Sequence, residues 1–85
     1  MESQPLIRVD ARGLRCPLPV LRLRKAADGV SGRVELLTDD PAAEADVRAF
    51  ARERGWTVAR HETAGGVTCW TIELAGPSPT AVSAG

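Results

Sequence analysis

Apolar residues in the first half of the chain change their spacing, and each pattern predicts an element. Ile7 and Val9 alternate with polar neighbours, which is typical of a half-buried strand. From Pro17 onward the apolar positions are three and four residues apart, which predicts an amphipathic helix that begins at Pro17 and stops at Gly29. Cys16 is then predicted to occupy the N-cap of this first helix.

The second half repeats strand and helix and closes with a hairpin. Residues 33–38 form an apolar-rich run that predicts a strand, and Asp40 followed by proline predicts the cap of a second helix that ends at Gly55. Residues 56–62 and 67–74 flank a Gly-Gly turn, as the two strands of a hairpin do. The predicted order is βαβαββ.

This order predicts an α/β (α+β) fold, a two-layer sandwich with a four-stranded mixed sheet. Two helices cannot cover both faces of such a sheet in so short a chain, so we expect both helices on one face. We predict one domain at residues 6–75, with flexible tails at residues 1–5 and 76–85. Most of the core is expected to come from Ile7, Val9, Val20, Leu23, Val47, Phe50 and Ile72.

Composition narrows the class of protein. The chain has 85 residues, zero formal net charge, 44% apolar and 26% charged residues, which is typical of one ordinary globular domain. No pattern of a signal peptide, membrane span or nucleic-acid-binding surface is present, so we expect a cytoplasmic protein. Two cysteines and one histidine are too few for a disulfide scaffold or structural zinc, so no metal site is expected.

The formal net charge is zero, but the charged side chains are unevenly distributed along the chain. Residues 1–25 hold six basic and two acidic side chains, whereas the rest of the chain is acidic on balance. This pattern predicts an electropositive patch around the first helix, although a solvated helix face collects such charges equally well.

Cys16 is the candidate reactive residue. A thiol at a helix N-terminus meets unpaired backbone N–H groups and the positive end of the helix dipole, so we expect a lowered pKa, to which Arg12 and Arg15 add. Most free cysteines are small buried hydrophobic residues. Because Ser, Thr, Asp or Asn would cap a helix better, a cysteine at this position indicates another role.

A second candidate is expected beside the first. If the first two strands are parallel, both strand-to-helix junctions lie at one edge of the sheet, so Cys16 and Asp40 should face the same rim. Capping the second helix explains Asp40 fully, and contact with a partner is the alternative role.

Two motifs carry a family resemblance. Residues 10–19 read DARGLRCPLP and residues 39–42 read DDPA. The chain resembles, from about residue 7 to 74, the TusA/SirA family of small sulfur carrier proteins, whose hallmark is Cys-Pro-x-Pro at the start of the first helix. The resemblance implies that Cys16 accepts a sulfane sulfur as a persulfide from a cysteine desulfurase-type donor and passes it to a downstream acceptor protein.

The resemblance also implies how such partners are bound. It implies partner contacts at Arg15, Leu21, Arg24 and Asp40, and no cofactor on the carrier itself. From the composition we expect no direct contact with nucleic acid; the sequence does not reveal the oligomeric state, and a monomer is favoured. The third motif position is Leu18, where members serving tRNA thiolation carry an acidic residue. The acceptor therefore stays open between a tRNA-modifying relay, a molybdenum-cofactor pathway and sulfur oxidation.

Two other functions fit the same residues. The chain is alternatively a non-catalytic partner-binding or regulatory module in which Cys16 merely caps a helix, or a thiol redox sensor. Cys69 is predicted to point away from the helices as a spectator, and His61 to be a surface residue. Trp56 and Trp70 are predicted to belong to the core.

Overall fold

The structure has the element order that the sequence predicts. A computed structural model describes residues 6–74, so the predicted tails and Ala75 lie outside the described residues. The elements are β1 (Leu6–Asp10), α1 (Leu18–Ala27), β2 (Gly32–Thr38), α2 (Ala43–Arg54), β3 (Thr57–Glu62), a short 3₁₀ turn (Ala64–Gly66) and β4 (Thr68–Leu74).

The four strands form one mixed sheet in the order β1-β2-β4-β3. Strand β1 runs parallel to β2, whereas β4 is antiparallel to both β2 and β3. Asp10 lies opposite Leu37, so β1 and β2 end at the same edge of the sheet. Helices α1 and α2 therefore both begin from this edge, as predicted.

Each helix buries one stripe of small and apolar residues against the sheet. The buried positions are four residues apart, which keeps them on one face of a helix: Pro19, Leu23 and Ala27 on α1, and Ala43, Val47 and Ala51 on α2. Glycines in the left-handed region follow both helices, at Gly29 and Gly55, where the sequence predicts the stops.

The core differs from the predicted set at four positions. Leu23, Val47 and Ile72 are fully buried, but Val20 and Phe50 are half-buried, because the four-residue spacing turns Pro19 and Ala51 inward instead. Ile7 and Val9 are also half-buried, because β1 is an edge strand that packs against only one side of the core. The remaining apolar core comes mainly from Val34, Leu36, Trp70 and Leu74.

One polar contact lies inside the core. The indole Nε1–H of Trp70 donates a hydrogen bond to Oγ1 of Thr38 at 2.9 Å, and both residues are 1% exposed. A buried indole N–H usually finds such a partner, because leaving it unpaired costs its full desolvation free energy. This bond ties β4 to the end of β2, next to the edge from which α2 begins.

The opposite face of the sheet carries charged side chains. Arg8 pairs with Glu35 at 3.1 Å, and Arg33 pairs with Glu73 at 2.7 Å, in each case between neighbouring strands. Both helices lie on the other face, so the predicted two-layer α+β sandwich is confirmed.

Candidate functional site

The two strand-to-helix loops at the shared edge are joined by carboxylate hydrogen bonds. Asp39, just after β2, accepts the backbone N–H of Gly13 with both oxygens, at 2.9 and 3.1 Å. Gly13 has φ 83°, a left-handed conformation that favours glycine. Ala11 extends the β1 pairing, because its N–H donates to the carbonyl of Leu37 at 2.8 Å. The loop that carries Cys16 is therefore fixed at several points.

Asp40 lies between the two loops. Its Oδ2 accepts the backbone N–H of Cys16 at 2.8 Å, and its Oδ1 accepts the backbone N–H of Ala42 at 3.0 Å. These two N–H groups, with a further contribution from the charge of Arg15, lower the pKa of the Asp40 carboxyl. The structure thus brings Cys16 and Asp40 together at one rim, as the topology predicts.

The predicted helix starts need correction. Helix α1 begins at Leu18 with Pro17 at its N-cap, so Cys16 lies one residue before the cap rather than on it. The N–H of Leu18 donates to the carbonyl of Arg15 at 2.7 Å, which closes a separate turn before the helix. Helix α2 has Ala42 at its N-cap, so Asp40 supports the preceding turn and does not cap the helix.

The thiol of Cys16 is exposed and hydrogen-bonded to a second carboxylate. Its Sγ donates to Oδ2 of Asp46, which lies on α2 near its start. The prediction of a lowered pKa is wrong: the hydrogen bond to Asp46, then partial desolvation and the charges of Asp46 and Asp40, raise the pKa of the Cys16 thiol.

The arginines expected to favour the thiolate are engaged elsewhere. Arg12 makes a paired contact with Asp10 at 2.8 and 2.7 Å, which lowers the pKa of Asp10 to about 2. The positive charge of Arg15 instead helps to lower the pKa of the Asp40 carboxyl. Carboxylates rather than guanidinium groups therefore decide the electrostatic surroundings of Cys16.

Asp46 is the site residue that sequence reasoning missed. Acidic residues are common in the first turns of helices, where they face the positive end of the dipole, so Asp46 has an ordinary explanation. A usable signal existed, because both helices were predicted to begin at one edge. A carboxylate one turn into α2 is then placed to reach the segment that precedes α1.

The predicted partner-binding residues of α1 are exposed but lie apart from Asp40. Leu21 is 47% exposed, and it lines a shallow cavity of about 320 Å³ together with Arg24, Lys25 and Asp28 of the α1 end and Arg54 of α2. Arg15 and Asp40 border a different cavity of about 480 Å³, beside Gly13, Asp39 and Pro41. Four of the five predicted site residues thus fall into two separate groups, Leu21 with Arg24 and Arg15 with Asp40, and the fifth, Cys16, contacts Asp40.

Other residues singled out by the sequence lie away from this site. Cys69 is a free, half-buried thiol on the sheet face opposite the helices, between Leu37 and His61 of the adjacent strands. Burial and the charge of Glu35 raise its pKa. His61 is exposed, in agreement with its prediction as a surface residue.

The two tryptophans differ in burial. Trp70 is in the core, as predicted, whereas Trp56 is half-buried and packs edge-on against Phe50, with ring centroids 5.4 Å apart. Between residues 6 and 74, no three side chains of the kinds that ligate metals are grouped together. The same stretch has no helix that is long and apolar enough to cross a membrane.

Comparison with known proteins gives a consistent result. The family model described as sulfurtransferase TusA matches residues 7–74, which is nearly all of the described chain. A protein of Archaeoglobus fulgidus predicted to be a sulfur carrier is 42% identical over 57 residues, which is 65% of this chain and 74% of that protein. The sulfur carrier protein TusA of Allochromatium vinosum is 38% identical over 60 residues, covering 68% of this chain and 79% of that protein.

A solved structure shows the same architecture. The crystal structure of the SirA-like protein from Desulfitobacterium hafniense superposes with a TM-score of 0.72 at 31% sequence identity, covering 79% of this chain and 95% of that one. The matched segment contains the Cys-Pro-Leu-Pro motif at the rim described above. The chain therefore belongs to the TusA family of sulfur carrier proteins.

Proposed function

We propose that this carrier holds sulfur as a persulfide on Cys16. The observation that carries the proposal is the position of the thiol: Sγ is exposed on a loop that Asp39 and Asp40 fix in place. An exposed sulfur can meet a cysteine of another protein, and a fixed loop limits the orientations in which they meet.

The transfer needs only thiol chemistry on the carrier. The Cys16 thiolate attacks the outer sulfur of a donor persulfide, so a new S–S bond forms as the donor's S–S bond breaks. The donor sulfur leaves as a thiolate and takes up a proton, and the proton lost by Cys16 goes to solvent. Delivery to the acceptor repeats the exchange with the carrier as donor.

Two surface regions support docking of partner proteins. Leu21 and Arg24 offer an exposed apolar side chain beside a positive charge on α1, which suits an acidic partner surface. Arg15 and Asp40 lie next to Cys16 and would contact any partner that reaches the thiol. We propose that these residues contact a cysteine desulfurase-type donor and the acceptor protein.

The setting proposed for this chemistry is the cytoplasm, with the carrier acting as a monomer. Both cysteines are free, which suits a reducing compartment. The large exposed apolar residues of the described chain are Leu6, Leu18 and Leu21, fewer than an extensive obligate interface contains.

Mass spectrometry tests the persulfide directly. The full chain is incubated with a cysteine desulfurase and L-cysteine, and its intact mass is measured without reductant. We expect a gain of one sulfur atom in the wild type and in Cys69→Ser, and none in Cys16→Ser. Failure of the wild type to gain sulfur, while its Cys16 still alkylates, contradicts the proposal.

One observation favours a second candidate function. A thiol that donates to Asp46 and has a raised pKa is a weak nucleophile, as expected for a non-catalytic partner-binding module on the same scaffold. That function predicts that partners bind equally well to the wild type and to Cys16→Ser, and that no sulfur is gained. The mass measurement therefore separates the two functions.

A further inference from the structure

The surroundings of Cys16 are acidic although α1 is basic. Asp46 accepts the hydrogen bond of the thiol, and Asp40 accepts that of the backbone N–H at 2.8 Å. Asp46 takes part in none of the salt bridges that residues 6–74 form with one another. The carboxylate against the sulfur is thus without a charged partner inside the described chain.

This geometry distinguishes the two protonation states of Cys16. A thiol has a proton to donate to a carboxylate, whereas a thiolate has none and is repelled by Asp46 and Asp40. Arg15 precedes Cys16 in the chain, and its positive charge helps to lower the pKa of Asp40. The free carrier therefore favours the protonated sulfur, although sulfur transfer needs the thiolate.

We propose that Asp46 keeps Cys16 protonated in the free carrier, and that a sulfur-exchanging partner must present a basic side chain to Asp46 before sulfur moves. The inference rests on Cys16 being the sulfur-bearing residue of the proposed function. A lysine or arginine paired with Asp46 removes the acceptor of the thiol hydrogen bond and offsets the repulsion of the thiolate.

The transfer then follows in balanced steps. The thiol of Cys16 loses its proton to solvent, and its electron pair forms a bond to the outer sulfur of the donor persulfide. The donor's S–S bond breaks, its electron pair stays on the donor sulfur, and that sulfur takes a proton from solvent. No net oxidation or reduction occurs.

Such an arrangement selects partners by charge beside the sulfur. Small electrophiles and proteins without a suitably placed cation meet a protonated, weakly nucleophilic thiol. A partner that carries both a persulfide and a nearby cation meets a thiolate. Asp46 thereby supplies a recognition element separate from the basic surface at Arg24 and Lys25.

Alkylation tests the first half of the proposal. Iodoacetamide rates are measured against pH in the full chain carrying Cys69→Ser, with and without Asp46→Asn. Glu44→Gln is the matched control, because Glu44 lies in the same first turn but pairs with Arg48 at 3.0 Å. We expect Asp46→Asn to lower the apparent pKa of Cys16 and the control to leave it unchanged.

The size of the effect follows from two opposing factors. At a pH below both pKa values, each unit of lowering raises the thiolate fraction about tenfold. A weaker intrinsic nucleophilicity offsets part of this gain, leaving roughly a threefold faster alkylation per unit. An unchanged pH profile or a slower reaction in Asp46→Asn overturns the proposal. If Asp46→Asn folds poorly, the Asp46→Ser variant and titration of the thiolate by its ultraviolet absorbance test the same expected fall in the pKa of Cys16.

Sulfur loading tests the second half. With a cysteine desulfurase and L-cysteine, we expect Asp46→Asn to load no faster than the wild type, because the donor's cation already neutralises Asp46 in the wild type. Loading of the wild type should also fall more steeply with added salt than loading of the variant. Acceleration of loading equal to that of alkylation overturns the requirement for a basic partner.

The two proposals fail in different ways. Absence of any sulfur gain at Cys16 in the wild type refutes the persulfide function, while the alkylation profiles still report whether Asp46 holds the proton. Normal loading with identical alkylation profiles refutes only the role of Asp46.

Discussion

The backbone N–H of Cys16 donates to the Asp40 carboxylate across 24 residues of sequence. The same carboxylate accepts the N–H of Ala42, so one side chain connects the loop before α1 with the turn before α2. This bond fixes the backbone of Cys16 but leaves its sulfur to Asp46. Asp40 therefore holds the backbone of the site, whereas Asp46 contacts its sulfur.

Replacing Asp40 should loosen the Cys16 loop. Asp40→Ala removes the acceptor of two backbone N–H groups, so we expect a lower melting temperature and slower sulfur loading. Circular dichroism melting and the loading rate check this expectation. Glu53→Ala, an exposed change on α2, serves as the control and should alter neither quantity. Equal melting temperatures for Asp40→Ala and the wild type would contradict the assigned role.

The contribution of Asp40 should depend on pH. Its pKa is lower in the folded chain than in the unfolded one, so its ionised form favours folding. That stabilisation is fully present above the ordinary carboxyl pKa of about 4 and is lost as the pH falls through the lower, folded value. Unfolding of the wild type and of Asp40→Asn by urea should therefore converge at acid pH, and a constant difference from pH 7 downward would refute the linkage.

The Thr38 hydroxyl should stabilise the fold because it accepts the hydrogen bond of the buried Trp70 indole. Thr38→Val keeps the shape of the side chain but leaves the buried indole N–H unpaired, at an expected cost of about 1–3 kcal/mol in the free energy of unfolding. Urea unfolding measures this cost. Thr38→Ser retains the hydroxyl and is the matched control, expected to lose less than the valine variant. The reverse order would show that the hydrogen bond is not what stabilises the contact.

Substitution of two leucines of α1 by alanine should affect two different properties, stability for one and donor binding for the other. Leu23 is fully buried, so Leu23→Ala should lower the free energy of unfolding by about 2–5 kcal/mol. Leu21 is exposed, so Leu21→Ala should change stability by less than about 0.5 kcal/mol while weakening capture by a donor protein. Urea unfolding together with the concentration dependence of sulfur loading tests both. Unaltered loading of Leu21→Ala would remove this residue from the docking surface.

The basic end of α1 should attract acidic partners through Arg24. Arg24→Glu reverses a charge beside the cavity lined by Leu21 and Arg54, and we expect the loading rate at limiting donor to fall about tenfold or more at low salt. Arg52→Glu is a matched reversal in the last turn of α2, which should have a smaller effect. The sulfur-loading rates of the two variants are compared at two ionic strengths, with reactions stopped at fixed times. Equal losses in both variants would indicate net charge rather than a specific surface.

The architecture was predictable because it depends on periodicity. Alternation at Ile7 and Val9, helical spacing after Pro17 and glycine stops at Gly29 and Gly55 define elements whose order allows few two-layer arrangements. The meeting of Cys16 with Asp40 followed from the parallel pairing of β1 and β2. Side-chain burial within the stripes was less predictable, since Val20 and Pro19 differ by only one position.

The electrostatics of Cys16 were not predictable from neighbours in sequence. Arg12 and Arg15 lie closest along the chain, yet Arg12 pairs with Asp10, and the thiol contacts Asp46 from the other helix. The separation of 30 residues between Cys16 and Asp46 exceeds what local pattern can resolve. Only the relative placement of the two helix starts decides which charge meets the sulfur.

The bonds from Asp39, Asp40 and Asp46 to the loop of Cys16 all join one strand-helix unit to the next. A fragment that ends before Asp39, or a nascent chain at that stage, lacks all three carboxylates, so we expect its Cys16 to behave as an ordinary cysteine with neither orientation nor restraint. Reactivity toward a mild alkylating agent thus reports whether the two halves of the molecule have assembled. The contact of Asp46 with the thiol is therefore a consequence of the same assembly.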